Sequence, residues 1–207
     1  MTSDGFLSEE TSSRTVGHYD RNAERFRDGT CGHDVSQNIA ALLDRIEGVS
    51  PFRILDLGCG PGRDLKTFRN LGHEATGLDG SQAFVEMAKR HSGCEVWLQD
   101  FLDLDLPLRH FDGVFANAVL FHVPSIKLDN VLIAIRDALK FGGVLFTSNP
   151  RGDNYESWNG ERFGMYCDLE RWQSYMTRAG FVEIEHYYRP TGVPRDKQPW
   201  LASVWRR

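Results

Sequence analysis

The sequence predicts an α/β chain built on one doubly wound, mostly parallel sheet of seven strands, with the last strand antiparallel. Three observations carry this expectation. Between residues 52 and 149, short apolar runs of strand type alternate with segments of helical period. The first of these runs ends in a glycine-rich turn, "LGCGPG", and a Pro/Gly-rich return joins the last two runs. Such alternation feeds parallel strands through crossover helices, and a hairpin-like return reverses the final strand.

The elements follow in order. Residues 1–13 are polar and Ser/Thr-rich and read as a flexible tail, leaving 14–207 as one domain. A polar helical stretch, "TVGHYDRNAERF", spaces Tyr19, Ala23 and Phe26 four and three residues apart. In "DVSQNIAALLDRIEG", Val35, Ile39, Leu42 and Ile46 form one stripe, with Asp34 as N-cap and Gly48 as stop. Strands are expected at 52–57, 74–79, 94–100, 111–119 and 142–149. The helices between them are "RDLKTFRNLG", "SQAFVEMAKRH" capped by Ser81, and "KLDNVLIAIRDALK" with Leu128, Val131, Ile135 and Leu139 on one face. Residues 150–167 read as an irregular insertion. A helix, "DLERWQSYMTRAG", turns Trp172 and Met176 to the core, and strands at 181–188 and 201–207 close the chain.

Composition narrows the partners. Hydrophobic residues make up 41% of the 207, enough for a proper core. The net charge of -5 disfavours a nucleic-acid backbone, which calls for a basic face. There is no apolar run of membrane-spanning length and no basic-then-apolar leader, so a cytoplasmic protein away from membranes is expected, as monomer or homodimer. Cys31, Cys59, Cys94 and Cys167 are widely spaced, with no CxxC. They read as reduced thiols, with no disulfide frame and no metal site expected.

The glycine turn is the first chemical signal. Gly58 permits the bend, Gly60 lets backbone approach a ligand, and the helix beginning near Gly62 offers free N–H groups. Asp79 ends the second strand about 20 residues on, where a carboxylate can take both hydroxyls of a ribose. Asp100 closes the third strand and can accept from an adenine amino group, with Phe101 against the ring. "ANAVLFHV" closes the fourth strand, so its loop faces the same crevice. A NAD(P)-binding oxidoreductase fits less well, because its third small residue is here Arg63.

"LDLGCGPG", "GLDGS", the "QDF" pair and "FDGVFANAVLFHV" resemble, in this order, the motifs of class I S-adenosylmethionine-dependent methyltransferases. The resemblance spans roughly Tyr19 to Arg207, and "HYDRNAERF" is similar to the N-terminal lid helix of the small-molecule branch. It implies a Rossmann-like fold with lid helices over 14–50, a cofactor core over 51–149, and a substrate-pocket segment with the C-terminal strands over 150–207. It implies S-adenosyl-L-methionine as cofactor and S-adenosyl-L-homocysteine as product. Gly58, Gly60 and neighbouring backbone at Gly62 would hold the methionine part, with Asp56 ordering the turn. Asp79, with Gly80 and Ser81, would take the ribose. Asp100 and Phe101 would frame adenine, Asn117 and Ala118 would meet the methionine moiety, and Tyr19 would cover the cofactor.

The expected reaction is methyl transfer to nitrogen of an amino-acid-like or azole metabolite, a histidine-derived imidazole included. Transfer to oxygen or sulfur of a carboxylate, phenol or thiol is the second reading. His122 is the candidate base, with loop ordering as its alternative role, and Tyr19 a further candidate from the lid. The acceptor is expected under two long segments, 149–166 and 187–200, through Arg151, Asn154, Trp158, Arg162, Tyr166, Tyr188, Arg189 and Arg195. Guanidinium forks interleaved with aromatics suit a small planar or carboxylate-bearing molecule.

Overall fold

The structure, a computed structural model, describes residues 3–207, with side chains from Glu9 onward. Among the described residues the order of elements is α1 (Ser3–Arg21), α2 (Ala23–Thr30), α3 (Ser36–Leu43), β1 (Arg53–Leu57), α4 (Arg63–Asn70), β2 (Glu74–Asp79), α5 (Gln82–Ser92), β3 (Glu95–Leu98), β4 (Phe111–Asn117), α6 (Ser125–Ala138), β5 (Leu139–Pro150), β6 (Tyr155–Asn159), β7 (Arg162–Tyr166), α7 (Leu169–Arg178), β8 (Val182–Arg189) and β9 (Trp200–Arg206). Seven strands form one sheet in the order β3-β2-β1-β4-β5-β9-β8. Strands β1 to β5 pair in parallel, and β9 runs antiparallel to both β5 and β8. No helix among the described residues is long and apolar enough to cross a membrane.

Each face of the sheet is buried, as strands fed by crossovers require. On one face Leu55, Val114 and Leu145 pack with α6 and α7, including Leu132, Trp172 and Met176. On the other, Ile54, Phe115 and Phe146 pack with Ile39 and Leu42 of α3 and with Phe68 of α4. The chain leaves β1 toward β2 on one side and β4 on the other, so the strand order reverses there. A crevice opens at the carboxyl ends of such a pair, and this is where open α/β sheets hold ligands.

Three elements depart from the sequence reading. Of the tail expected over 1–13, residues 1 and 2 lie outside the described residues, and from Ser3 onward the chain is helical. Its anchors are tertiary: the Ser12 hydroxyl donates to the Asp100 carboxylate, and Thr15 Oγ1 accepts from Phe163 N at 3.1 Å. Helix α3 begins at Ser36 with Val35 as its N-cap, and Asp34, the expected cap, accepts from Ser36 N at 2.9 Å from one residue earlier. The irregular insertion is a β-hairpin, β6–β7, in which Asn159 faces Arg162 and Gly160 turns the chain at φ 63°. Glycine at the first central position of a two-residue turn gives the backbone twist that hairpins favour.

Phe115 is fully buried between Phe68, edge-on at 5.2 Å, and Phe146, stacked at 4.9 Å. Phe115→Ala should destabilise the fold by about 3–5 kcal/mol, read as a lower urea midpoint with an unchanged slope.

Candidate functional site

A cavity of about 730 Å³ occupies the crevice outside β1 and β4. Its floor is the turn that follows β1. A Cβ on Gly58 (φ 72°) would lie 2.3 Å from Val119 Cγ2, and one on Gly62 (φ 89°) would lie 2.7 Å from the Ala88 Cα. Both glycines are therefore demanded by packing, and Gly62 serves the approach of α4 to α5 instead of lining the cavity. Gly60 (φ 50°) does line it, and a Cβ there would meet only Phe26 at 3.8 Å.

Two carboxylates support this floor in different ways. Asp56, 2% exposed, lies beneath the turn and accepts from Leu65 N, so it orders the turn without reaching the cavity wall. Burial, with Asp64 adding to it, pushes its carboxyl well above the usual carboxylate range. Asp79, 9% exposed, does line the cavity. Its Oδ2 accepts from Gly60 N and its Oδ1 from Ser81 N, both at 2.9 Å. Desolvation raises its pKa to about 6 despite these two donors.

Further along the wall, Gly80 sits under Val16 of α1, and Ser81 caps α5 by accepting from Phe84 N. Phe101 and Leu102 line the cavity, whereas Asp100 does not. Contrary to expectation, Asp100 is turned to α1: it takes the Ser12 hydroxyl and Leu102 N. A strand-end carboxylate satisfied by a hydroxyl of α1 and its own loop has little reason to turn inward.

At the end of β4, Asn117 and Ala118 face the cavity. Asn117 is fixed by a network absent from the sequence reading. Its Oδ1 accepts from Asn38 at 3.0 Å, its amide donates to Asp64 at 3.4 Å, and Tyr187 donates to Asn38 at 2.9 Å. Asp64 in turn is clasped by Arg63 at 2.6 and 2.9 Å. Ala118 holds φ 62°, a left-handed conformation for a residue with a side chain.

Tyr19 and His122 meet at 2.8 Å on the cavity roof. His122 Nδ1 lies 2.5 Å from the Phe163 carbonyl. A carbonyl only accepts, so Nδ1 carries the proton and bare Nε2 accepts from the Tyr19 hydroxyl. Burial pushes the imidazole down to about 4, which keeps it neutral. Burial also raises Tyr19, which Arg162 opposes by hydrogen bonding to it.

Of the eight expected acceptor contacts, Arg162 and Arg189 line the cavity and the other six do not. Asn154 donates to Asp168, the N-cap of α7. Trp158 lies under the Arg14 guanidinium at 4.2 Å and against Phe163. Tyr166 stacks on Tyr155, while Arg151 and Arg195 flank Tyr188. Asn154, Trp158 and Tyr166 are thus taken up by the hairpin, α1 and the start of α7, while the guanidinium groups of Arg151 and Arg195 lie against the Tyr188 ring. In their place Phe121, Ser148 and Trp200 line the cavity, on the side of the sheet where β4 and β5 end and β9 begins. Phe121 and Trp200 meet edge-to-face at 6.5 Å. Ser148 is 3% exposed, and its hydroxyl has no hydrogen-bond partner among the described residues.

Comparisons with known proteins fit this geometry. Residues 54–143 match a family described as "Methyltransferase domain". The chain is 32% identical over 126 residues to the ubiquinone biosynthesis O-methyltransferase of Alkalilimnicola ehrlichii, covering 53% of this chain and 49% of that protein. It is 29% identical over 142 residues to the malonyl-[acyl-carrier protein] O-methyltransferase of Enterobacter lignolyticus, covering 68% and 52%. The chain spans about half the length of these curated relatives. In fold it is similar to the 1,6-didemethyltoxoflavin-N1-methyltransferase of Burkholderia thailandensis, crystallised with 1,6-didemethyltoxoflavin and S-adenosylhomocysteine. That likeness has a TM-score of 0.77 at 21% identity and covers 100% of this chain and 91% of that one. The chain thus joins a methyltransferase-domain match over residues 54–143 to the strand order and glycine turn of a Rossmann-like methyltransferase fold.

Proposed function

We propose that the protein transfers the methyl group of S-adenosylmethionine to nitrogen of a small planar acceptor bearing an anionic group, an azole or amino-acid-like metabolite. A histidine-derived imidazole falls within this class. The observation that carries the reading is the division of one cavity into two ends. Asp79, Gly60 and Gly80 form a nucleoside end, and Phe121, Trp200, Ser148 and Arg189 form an aromatic end. A volume of about 730 Å³ leaves room for both ligands together.

The residues fit the cofactor. Asp79 would take the ribose diol, Phe101 and Leu102 would flank the adenine, and the open Cα of Gly60 would admit the methionine chain. Asn117 and Ala118 would border that chain, and Tyr19 would cover it. When bound, the cofactor supplies a sulfonium methyl that is already strongly electrophilic. The chain's own work is then alignment and exclusion of water, and good alignment is worth about 7–11 kcal/mol.

The acceptor end supports nitrogen. An azole or amine nitrogen offers a lone pair at neutral pH, while a phenol or alcohol needs a base to remove its proton. Both nitrogens of His122 are engaged and its pKa is about 4, so it suits the positioning of Tyr19 better than base catalysis. An anionic substituent is supported by Arg189, whose guanidinium donates to the Asp34 carbonyl and forms no ion pair among the described residues. Arg162, in contrast, is committed to Tyr19.

The primary test is ligand stabilisation. S-adenosylmethionine and S-adenosylhomocysteine at 100 times Kd should each stabilise the fold by about 2.7 kcal/mol in thermal unfolding, and NADPH should not; the reverse pattern would overturn the assignment. With an acceptor found by screening imidazole and amino-acid carboxylates, Arg189→Ala should raise its KM about tenfold and leave the cofactor Kd unchanged. Tyr19→Phe should lower kcat about tenfold, the worth of one buried hydrogen bond. At saturating cofactor its rate profile should show no imidazole step between pH 6 and 8, because burial holds His122 at about 4.

A further inference from the structure

Helix α1 crosses the cavity, and Ser12, Thr15, Val16 and Tyr19 line it. In its last turn Asp20 reaches a different partner, the loop that follows β2. Asp20 Oδ1 accepts from Ser81 Oγ at 2.5 Å and from Ala83 N at 3.1 Å. Ser81 is 1% exposed and donates its own N–H to Asp79 Oδ1 at 2.9 Å. One serine is thus bracketed by two carboxylates, one on its hydroxyl and one on its backbone. Only Asp79 lines the cavity, while Asp20 lies on the outer, exposed side.

We propose that Asp20 is a positioning residue for the nucleoside end of the cavity: it seats α1 on the 79–83 loop and joins that seating to the carboxylate that receives the ribose diol. The proposal rests on the cavity taking an adenosine cofactor. The chemistry is local. Asp20 is a hydrogen-bond acceptor at the N-terminus of α5, where negative charge is favoured. It is also a like charge beside a desolvated carboxylate, where negative charge on Asp79 is opposed. The titratable groups facing Asp79 are Asp20 and Tyr19 from α1, Cys59 from the turn after β1, and Asp56 from β1. None of them is a cation, and Asp79 forms no ion pair among the described residues. Its ionised form therefore depends on the amides of Gly60 and Ser81, and Asp20 works against it. A ribose diol donates to the ionised form, so binding should weaken as pH falls through about 6.

The experiment is S-adenosylhomocysteine binding by calorimetry from pH 5 to 8. Wild-type affinity should be flat above the break near pH 6 and fall up to tenfold per unit below it. In Asp20→Asn the amide oxygen still accepts from Ser81 and Ala83, but the charge is gone. The break should move to lower pH, with Kd at pH 8 within twofold of wild type. Asp20→Ala should lose the seat as well, raising Kd about tenfold at every pH and speeding ligand release. A break at the same pH in Asp20→Asn, or wild-type binding in Asp20→Ala, overturns the proposal and leaves the cofactor reading intact. Failure of the wild type to bind S-adenosylhomocysteine overturns both.

Discussion

Two backbone amides from two different turns converge on one buried carboxylate, and the site is organised around that convergence. Gly60 N comes from the turn after β1 and Ser81 N from the turn after β2, and Asp79 takes both. Each turn alone is a short loop with few side chains to fix it. Shared between them, Asp79 locks the relative height of the two strand ends at the place where the sheet changes direction. Without ligand this arrangement is strained electrostatically, since burial favours the neutral acid while both amides favour the anion. In the proposed reading, a ribose diol at the open side would relieve that conflict.

The scaffold of the site was legible because its signals are local. Apolar runs, helix caps and glycines at fixed offsets write β1, α4, β2 and α5 directly into the chain, and the structure reproduces β2 and the Ser81 cap residue for residue. Asp79 followed from the same logic, as a carboxylate at a strand end beyond a glycine turn. Gly62 shows the limit. Its offset suggested a ligand contact, but the requirement is the Ala88 backbone of a neighbouring helix, a contact no spacing rule records.

The cavity wall formed by Phe121, Ser148, Trp200 and Arg189 was much less legible, because it depends on which long side chains are already spoken for. Trp158, Arg162 and Tyr166 all sit in one aromatic, basic segment, yet only Arg162 reaches the cavity. The segment is a hairpin that turns Trp158 to the face opposite Arg162, while Tyr166, on the face of Arg162, stacks on Tyr155; the dipeptide Asn159–Gly160 was the available signal for it. Its polar tip serves α1. Glu161 pairs with Arg21 at 2.8 Å, Arg14 lies over Trp158, and Phe163 N donates to the buried Thr15. The exposed ion pair contributes little by itself. The buried hydrogen bond and the ring contact carry the attachment. By the same logic, Ser148, Phe121 and Trp200 come from three different stretches of chain, and only the folded sheet brings them together.

Ala118 shows a cost accepted for shape. A residue with a Cβ at φ 62° sits about 1–2 kcal/mol above its relaxed backbone, and glycine at this position would remove the penalty. Its methyl, however, stands on the cavity wall beside Asn117. Glycine there would give a sturdier protein with a looser grip, so robustness and fit pull this single position in opposite directions.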